Sequence, residues 1–195
     1  SKNGRDWYRS PDATSTWSSE SQLVELDNGK LRLFYRNGNG SICYVDATGN
    51  ADTGYTWGNT QSTGISNQSN CMISAMKYSK AINGKEAILV SCPTSSGGRF
   101  DGKIHVFTLD GTDANAMSLV NSYAINTGYA TNFYAYSCMT ELQSGDVALL
   151  YEDGWIAYSG VAQGPGVASM TYKTYPIETL VGANATVGGI WFAES

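Results

Sequence analysis

The sequence predicts an all-β fold made of antiparallel strands. Three observations support this. Short runs of alternating or β-branched residues recur along the whole chain. Asn-Gly and Asp-Gly pairs, which favour tight hairpin turns, fall between them at Asp27-Asn-Gly29, Asn37-Gly-Asn-Gly40, Asn83-Gly84, Asp110-Gly111 and Asp153-Gly154. No helical periodicity lasts beyond a turn or two. The composition agrees, with 13 Tyr, 5 Trp, 22 Gly and only 4 Pro in 195 residues.

In order, the expected strands are 21–26, 31–36, 41–46, 71–78, 86–92, 103–109, 117–125, 136–142, 146–151, 155–158, 169–174 and 188–193. Each has apolar residues at every second position or a continuous apolar run. Further turns are expected at Gly97-Gly98 and Ser144-Gly145. Gly160 to Ala168 is small and Gly-rich and reads as a loop, and 180–187 reads as a loose connection before the final strand. One weak repeat is visible. Asp52-Thr-Gly-Tyr-Thr-Trp57 keeps a Gly-x-x-Trp element that occurs 50 residues earlier as Gly4-Arg-Asp-Trp7, with Lys2 in the Asp position. A period of about 40–50 residues with four strands per unit points to propeller blades. In that turn Asp52 is suited to accept backbone N–H groups, Gly54 to take a positive φ, and Trp57 to plug the blade. Its role is in the fold.

Composition also narrows the function. The net charge of −5 and the 15% of charged residues give no basic surface for nucleic acid. A small anionic ligand needs only a local positive pocket and stays possible. No run approaches the roughly eighteen apolar residues of a membrane span, and no signal peptide is visible at Ser1. Cys43, Cys71, Cys92 and Cys138 form no CxxC pair, and each adjoins an apolar run. They read as buried free thiols rather than metal ligands. No metal or cofactor is expected. His105, the single histidine, alternates into an apolar strand and reads as structural or solvent-facing, without a nucleophile motif beside it.

Four residues resist a core explanation. Glu20 opens the run Glu20-Ser-Gln-Leu-Val-Glu-Leu26, and Arg36 ends Leu31-Arg-Leu-Phe-Tyr-Arg36. Arg99 lies between Gly97-Gly98 and Phe100-Asp101-Gly102, and Tyr136 sits in Phe133-Tyr-Ala-Tyr-Ser-Cys-Met-Thr-Glu-Leu142. Two guanidiniums, a carboxylate and a phenol can hold an anionic sugar and attack its anomeric carbon. Singly, each also has an ordinary reading: a snorkelling or solvated arginine, a core tyrosine, a polar strand start. Tyr134, on the same strand face by alternation, is an alternative nucleophile. Glu25 and Glu141 receive no catalytic role.

These pieces resemble the catalytic domain of bacterial sialidases (neuraminidases). The matching segments are Glu20 to Leu26, Phe34-Tyr-Arg-Asn37, Asp52 to Trp57, Arg99-Phe-Asp-Gly102, Tyr136-Ser-Cys-Met-Thr-Glu-Leu142 and Leu149-Leu-Tyr-Glu152. They keep the family order over residues 20 to 152. The resemblance implies a six-bladed β-propeller with its site at one end of the axis, and about three blades in this chain. It implies a retaining exo-sialidase. Arg36 and Arg99 match two of the three arginines that hold the sugar carboxylate, a suitable task for planar guanidiniums. Tyr136 matches the nucleophile, where a neutral phenol avoids repulsion from that carboxylate. Glu20 matches the base that takes the Tyr136 proton. Glu152 matches the acid that braces the first arginine.

The resemblance also marks what this sequence lacks. The Arg-Ile-Pro segment of the first arginine does not occur, nor does the loop Asp that acts on the leaving group. A six-bladed propeller needs about 24 strands at four per blade, twice what is expected here. Residues 1–195 therefore read as the C-terminal half of a sialidase domain, with 176–195 as a tail or closing strand. Expected partners are sialylated glycans and the N-terminal half, outside a bacterial cell or on its surface. The isolated chain is expected neither to close nor to turn over substrate, and its open edges to be sticky. Two alternatives stay open: a lectin-like sialic-acid-binding propeller, and an intramolecular trans-sialidase giving an anhydro sugar. Tyr129, Phe133 and Tyr134 are candidates for an aromatic wall of the site.

Overall fold

The computed structural model describes residues 3–7, 9–50, 52–67, 69–110, 113–125, 133–153 and 169–190. Among these it is all-β apart from one short helix, and its strands form three antiparallel sheets.

The first sheet contains β1 (Ser18–Glu25), β2 (Leu31–Asn37), β3 (Ser41–Asn50) and β4 (Gly54–Trp57) in sequence order, with β5 (Gln61–Ser66) also pairing β3. The long β3 serves both short strands. Ala47 to Asn50 face β4, while Ser41 to Tyr44 face β5. The second sheet has the order β13 (Val187–Ile190), β6 (Ser74–Ile82), β7 (Lys85–Pro93), β8 (Gly102–Asp110) and β9 (Asp113–Ala124). The third contains β10 (Ala135–Glu141), β11 (Val147–Glu152) and β12 (Met170–Tyr175).

Local chemistry explains the hairpins. Asn83 (φ 53°) and Gly84 (φ 71°) both adopt the left-handed conformation needed by the two-residue turn between β6 and β7. In the β3–β4 turn Gly54 has φ 82°, and Asn50 Oδ1 accepts the N–H groups of Asp52 and Thr53. Trp57 packs beside Tyr35, Cys43 and Val45.

The second sheet is buried on both faces. Ile88, Val90 and Cys92 pack with Phe34, Ile42 and Tyr44 of the first sheet. Ala87 and Leu89 turn the other way, onto Met139, Val147, Leu149 and Tyr151 of the third. Burying each large aliphatic residue contributes about 1.5–3 kcal/mol, and two-sided burial explains why 87–92 is a nearly unbroken apolar run.

Several expectations need correction. The segment 177–181, expected as tail and partly as loose connection, is a helix, α1 (Ile177–Val181). Ile177, Leu180 and Val181 project into the core between the second and third sheets, and Asn121 Nδ2 donates to the Leu180 carbonyl at 2.7 Å. A helix this short leaves little periodic signal. Strands β4 and β5 were not expected as strands, because both are short and polar. Cys43, Cys71 and Cys92 are buried free thiols, but Cys138 is exposed. His105 is buried, with Nδ1 2.8 Å from Ser122 Oγ, and desolvation first, then Lys103, lowers its pKa to about 4. The expected strand 155–158, the loop 160–168, residues 191–193 of the last strand, and parts of the turns at 110–111 and 153–154 lie outside the described residues. No helix among the described residues is long and apolar enough to cross a membrane.

Candidate active site

Glu20, Arg36, Arg99 and Tyr136 come together at one end of the three sheets. Glu20 and Arg36 arise from neighbouring strands of the first sheet, Tyr136 from the first strand of the third, and Arg99 from the β7–β8 loop of the second. The Glu20 carboxylate joins two of the others. Its Oε2 lies 2.6 Å from Arg36 Nη1, and its Oε1 accepts the Tyr136 hydroxyl at 3.2 Å. The Arg99 guanidinium sits over the Tyr136 ring, with Cζ 4.9 Å from the centroid. The Arg36–Glu20 pair is part-buried, with side-chain exposures of 14% and 25%, so it strengthens over a surface pair while staying reachable. Glu20 also lines a cleft of about 270 Å³ with Asp12, Thr14, Ser18 and Tyr35.

Backbone irregularity aims both oxygen groups. Glu20 has φ 39° and Tyr136 φ 41°, a region that costs a non-glycine residue about 1–3 kcal/mol. Each lies where strand register shifts, between Ser19 and Ser21 in β1 and between Ala135 and Cys138 in β10. These are β-bulges, which redirect side chains that the alternating pattern would place otherwise. Arg36 needs no such device. It lies at the end of β2, opposite Ser19, and reaches Glu20 and the Asn70 carbonyl.

The bulge corrects the expectation for Tyr134. Alternation would place it beside Tyr136, but it is fully buried, with its hydroxyl bonded to Ser91 Oγ and its ring 4.7 Å from that of Tyr151. Desolvation pushes its pKa up, opposed by hydrogen bonds from Ser137 and Ser91. It is a core tyrosine, not a candidate nucleophile. Phe133 is likewise buried, edge-on to Phe100. Neither forms a wall of the site, and Tyr129 lies outside the described residues.

Glu152 ends β11 opposite Ala135, one residue from Tyr136. Desolvation by burial raises the pKa of the Cys71 thiol; the Tyr136 N–H bond and Arg99 oppose that rise, and Glu20 and Glu152 add to it. Glu152 makes no ion pair among the described residues. The same residues contain no group of three His, Cys, Asp or Glu able to hold a metal ion.

Sequence reasoning missed three neighbours. Trp17, 60% exposed, covers Arg36 with Cζ 5.6 Å from its ring. Asn70 receives Arg36 through its carbonyl, and Cys71 Sγ accepts the Tyr136 N–H at 3.5 Å. Only the apolar setting of Cys71 gave a hint of burial, and nothing in the sequence tied it to Tyr136.

No family model matches the chain. Among curated proteins it is 35% identical over 163 residues to the anhydrosialidase of the leech Macrobdella decora, covering 78% of this chain and 21% of that protein. It is 33% identical over 171 residues to sialidase B of Streptococcus pneumoniae, covering 78% of this chain and 22% of that one. The chain thus spans about a fifth of these curated relatives. Among solved structures, the intramolecular trans-sialidase of Ruminococcus gnavus, in complex with oseltamivir carboxylate, superposes with a TM-score of 0.71 at 28% identity. That match covers 92% of this chain and 37% of the other. By sequence and by fold the relatives of this chain are sialidases, and it corresponds to part of their catalytic β-propeller.

Proposed function

We propose that this chain is the C-terminal half of a retaining exo-sialidase that cleaves terminal α-linked sialic acid from glycoconjugates through a sialyl-tyrosine intermediate. The observation that carries the reading is the Glu20 carboxylate, held between the Arg36 guanidinium and the Tyr136 hydroxyl. A free phenol is a weak nucleophile near neutral pH, because its pKa is about 10. Glu20 stands where it can take the phenolic proton as Tyr136 Oη bonds to the anomeric carbon. Arg99 over the ring stabilises negative charge developing on that oxygen. The bond from the anomeric carbon to the aglycone oxygen breaks, and that oxygen takes a proton from an acid outside this chain. Water then displaces Tyr136, giving a proton back to that acid, while Tyr136 recovers its own proton from Glu20. Two displacements at one carbon give net retention.

Arg36 and Arg99 bind the sugar carboxylate in this scheme, and an N-terminal half supplies the first arginine, which Glu152 braces, and the acid. A complete six-bladed propeller, of which this chain gives three sheets, holds the assembled site. Its natural setting is outside a bacterial cell, where sialylated glycans are met.

Turnover of a fluorogenic sialoside tests the reading, with the chain alone and joined to the N-terminal half. Activity is expected only in the joined protein and is lost in Tyr136→Phe. An activated fluorosialoside should leave a sialyl adduct on the Tyr136 peptide. Sugar binding without turnover in the joined protein would instead indicate a lectin-like propeller.

A second outcome has specific support. The leech and Ruminococcus relatives are an anhydrosialidase and an intramolecular trans-sialidase. In this outcome a hydroxyl of the bound sugar, instead of water, displaces Tyr136 and gives an anhydro sugar, its proton passing to the acid outside this chain. Mass analysis separates the two products, since the anhydro sugar is one water lighter.

A further inference from the structure

Arg36 and Tyr136 belong to different sheets, so something must fix their relative position. The turn between β5 and β6 touches both. Its carbonyl at Asn70, where φ is 49°, accepts Arg36 Nη1. One residue later, Cys71 Sγ accepts the N–H of Tyr136 at 3.5 Å. That N–H lies at the bulge of β10, where the strand ladder is interrupted, so a buried donor needs another acceptor.

Asn67 holds this turn together. It is fully buried, and its Nδ2 donates to the Cys71 carbonyl at 2.7 Å while its Oδ1 accepts the Cys71 N–H at 3.3 Å. Its own carbonyl accepts the Asn70 N–H at 2.9 Å. Its N–H donates to the Gly40 carbonyl at 2.8 Å, in the β2–β3 turn of the hairpin that carries Arg36. Cys71 is itself fully buried, packed with Phe100, Phe133 and Ala135 under Tyr136. Burial keeps its thiol above the ordinary range and therefore a neutral S–H.

We propose that Asn67 and Cys71 are positioning residues, which set the sugar-binding arginine and the attacking tyrosine relative to each other through one turn. The inference rests on the sialidase reading above. Asn67 fixes the turn to the arginine hairpin, and Cys71 fixes it to the bulged backbone of the nucleophile. Neither touches the sugar. A nucleophile displaced by a fraction of an ångström loses rate while binding is kept, so the two residues should fail in different ways.

The test uses the complete catalytic domain and its turnover of a fluorogenic sialoside, with melting temperatures measured alongside. Cys71→Ala removes the acceptor and should lower kcat by about tenfold or more with KM nearly unchanged. Cys71→Ser restores an acceptor and should recover most of that loss. Asn67→Ala keeps the backbone bonds to Gly40 and Asn70 but removes both side-chain bonds to Cys71, which loosens the turn whose Asn70 carbonyl holds Arg36, and should raise KM as well as lower kcat. If Asn67→Ala does not fold, the Cys71 pair decides. An active wild type with kcat unchanged in Cys71→Ala overturns this inference alone. So do equal losses in Cys71→Ala and Cys71→Ser that follow melting temperature. An inactive wild type overturns the sialidase reading and this inference with it.

Discussion

Glu20 and Tyr136 lie 116 residues apart, on different sheets, yet they share an uncommon backbone state and meet at 3.2 Å. Both have positive φ at a strand bulge. Strain of this kind persists only where surrounding structure enforces it. Here the enforcement comes from Arg36 on one side and Cys71 on the other. In the sialidase reading, Glu20→Gln should lower kcat by about 10²–10⁴-fold, and Tyr136→Phe should abolish turnover. Initial rates of the joined protein at saturating sialoside check both. A Glu20→Gln protein with full kcat would remove Glu20 from proton transfer.

In the sialidase reading, the two arginines of β2 separate stability from binding. Arg32 and Arg36 are four residues apart and share a strand face, but Arg32 is fully buried and clamps Asp46 at 2.7 and 2.8 Å. Breaking such a pair leaves a carboxylate only 11% exposed without its partner and costs up to about 3–5 kcal/mol. Arg32→Ala should therefore lower the urea midpoint strongly. Arg36→Ala removes a part-buried pair and should cost under about 1–2 kcal/mol, while greatly weakening sialic acid binding. Urea melts and calorimetric titration distinguish them.

The Arg99 loop depends on Gly98. Its φ is 145°, and a Cβ there would sit 2.8 Å from the Phe100 ring. Phe100 cannot retreat freely, since it packs on Phe133 and Cys71. Gly98→Ala should shift Arg99 off the Tyr136 ring and cost about 1–3 kcal/mol. In the sialidase reading, raised KM for the sialoside in the joined protein, with a lowered melting temperature, is the expected result. An unchanged KM would show that Arg99 keeps its place without Gly98.

The sequence revealed what obeys simple periods. The Asn83-Gly84 hairpin and the doubly buried run 87–92 could be read directly, because a turn type and a two-sided burial each leave a local pattern. The four candidate site residues could be named too, but only as members of an ordered set. What failed was register. A period of two places Tyr134 beside Tyr136, and the bulge at Tyr136 is what separates them. Arg32 and Arg36 look alike until Asp46 is seen opposite Arg32. Helix α1 is held by Leu180 and its neighbours reaching the core, a tertiary effect that five residues cannot announce. Asn67, Asn70 and Cys71 reveal their roles only through contacts with distant strands.

His105 should make stability depend on pH. Its pKa falls from 6.5 to about 4 on folding, because burial between β7 and β9 disfavours the charged ring and Lys103 adds repulsion. A group with a depressed folded pKa is neutral in the fold and takes up its proton first in the unfolded chain. Its contribution is therefore fully present above pH 6.5, and is lost as pH falls towards about 4. The loss amounts to about 3 kcal/mol. Carboxylates titrate in the lower part of this window, so the wild type alone cannot isolate the effect. His105→Gln keeps a polar side chain that can bond Ser122 but carries no titrating proton. The difference in unfolding free energy between wild type and His105→Gln, measured in urea from pH 8 to pH 4, should shift steadily against the wild type. A difference that stays flat with pH would show that His105 remains solvated enough to protonate in the folded protein.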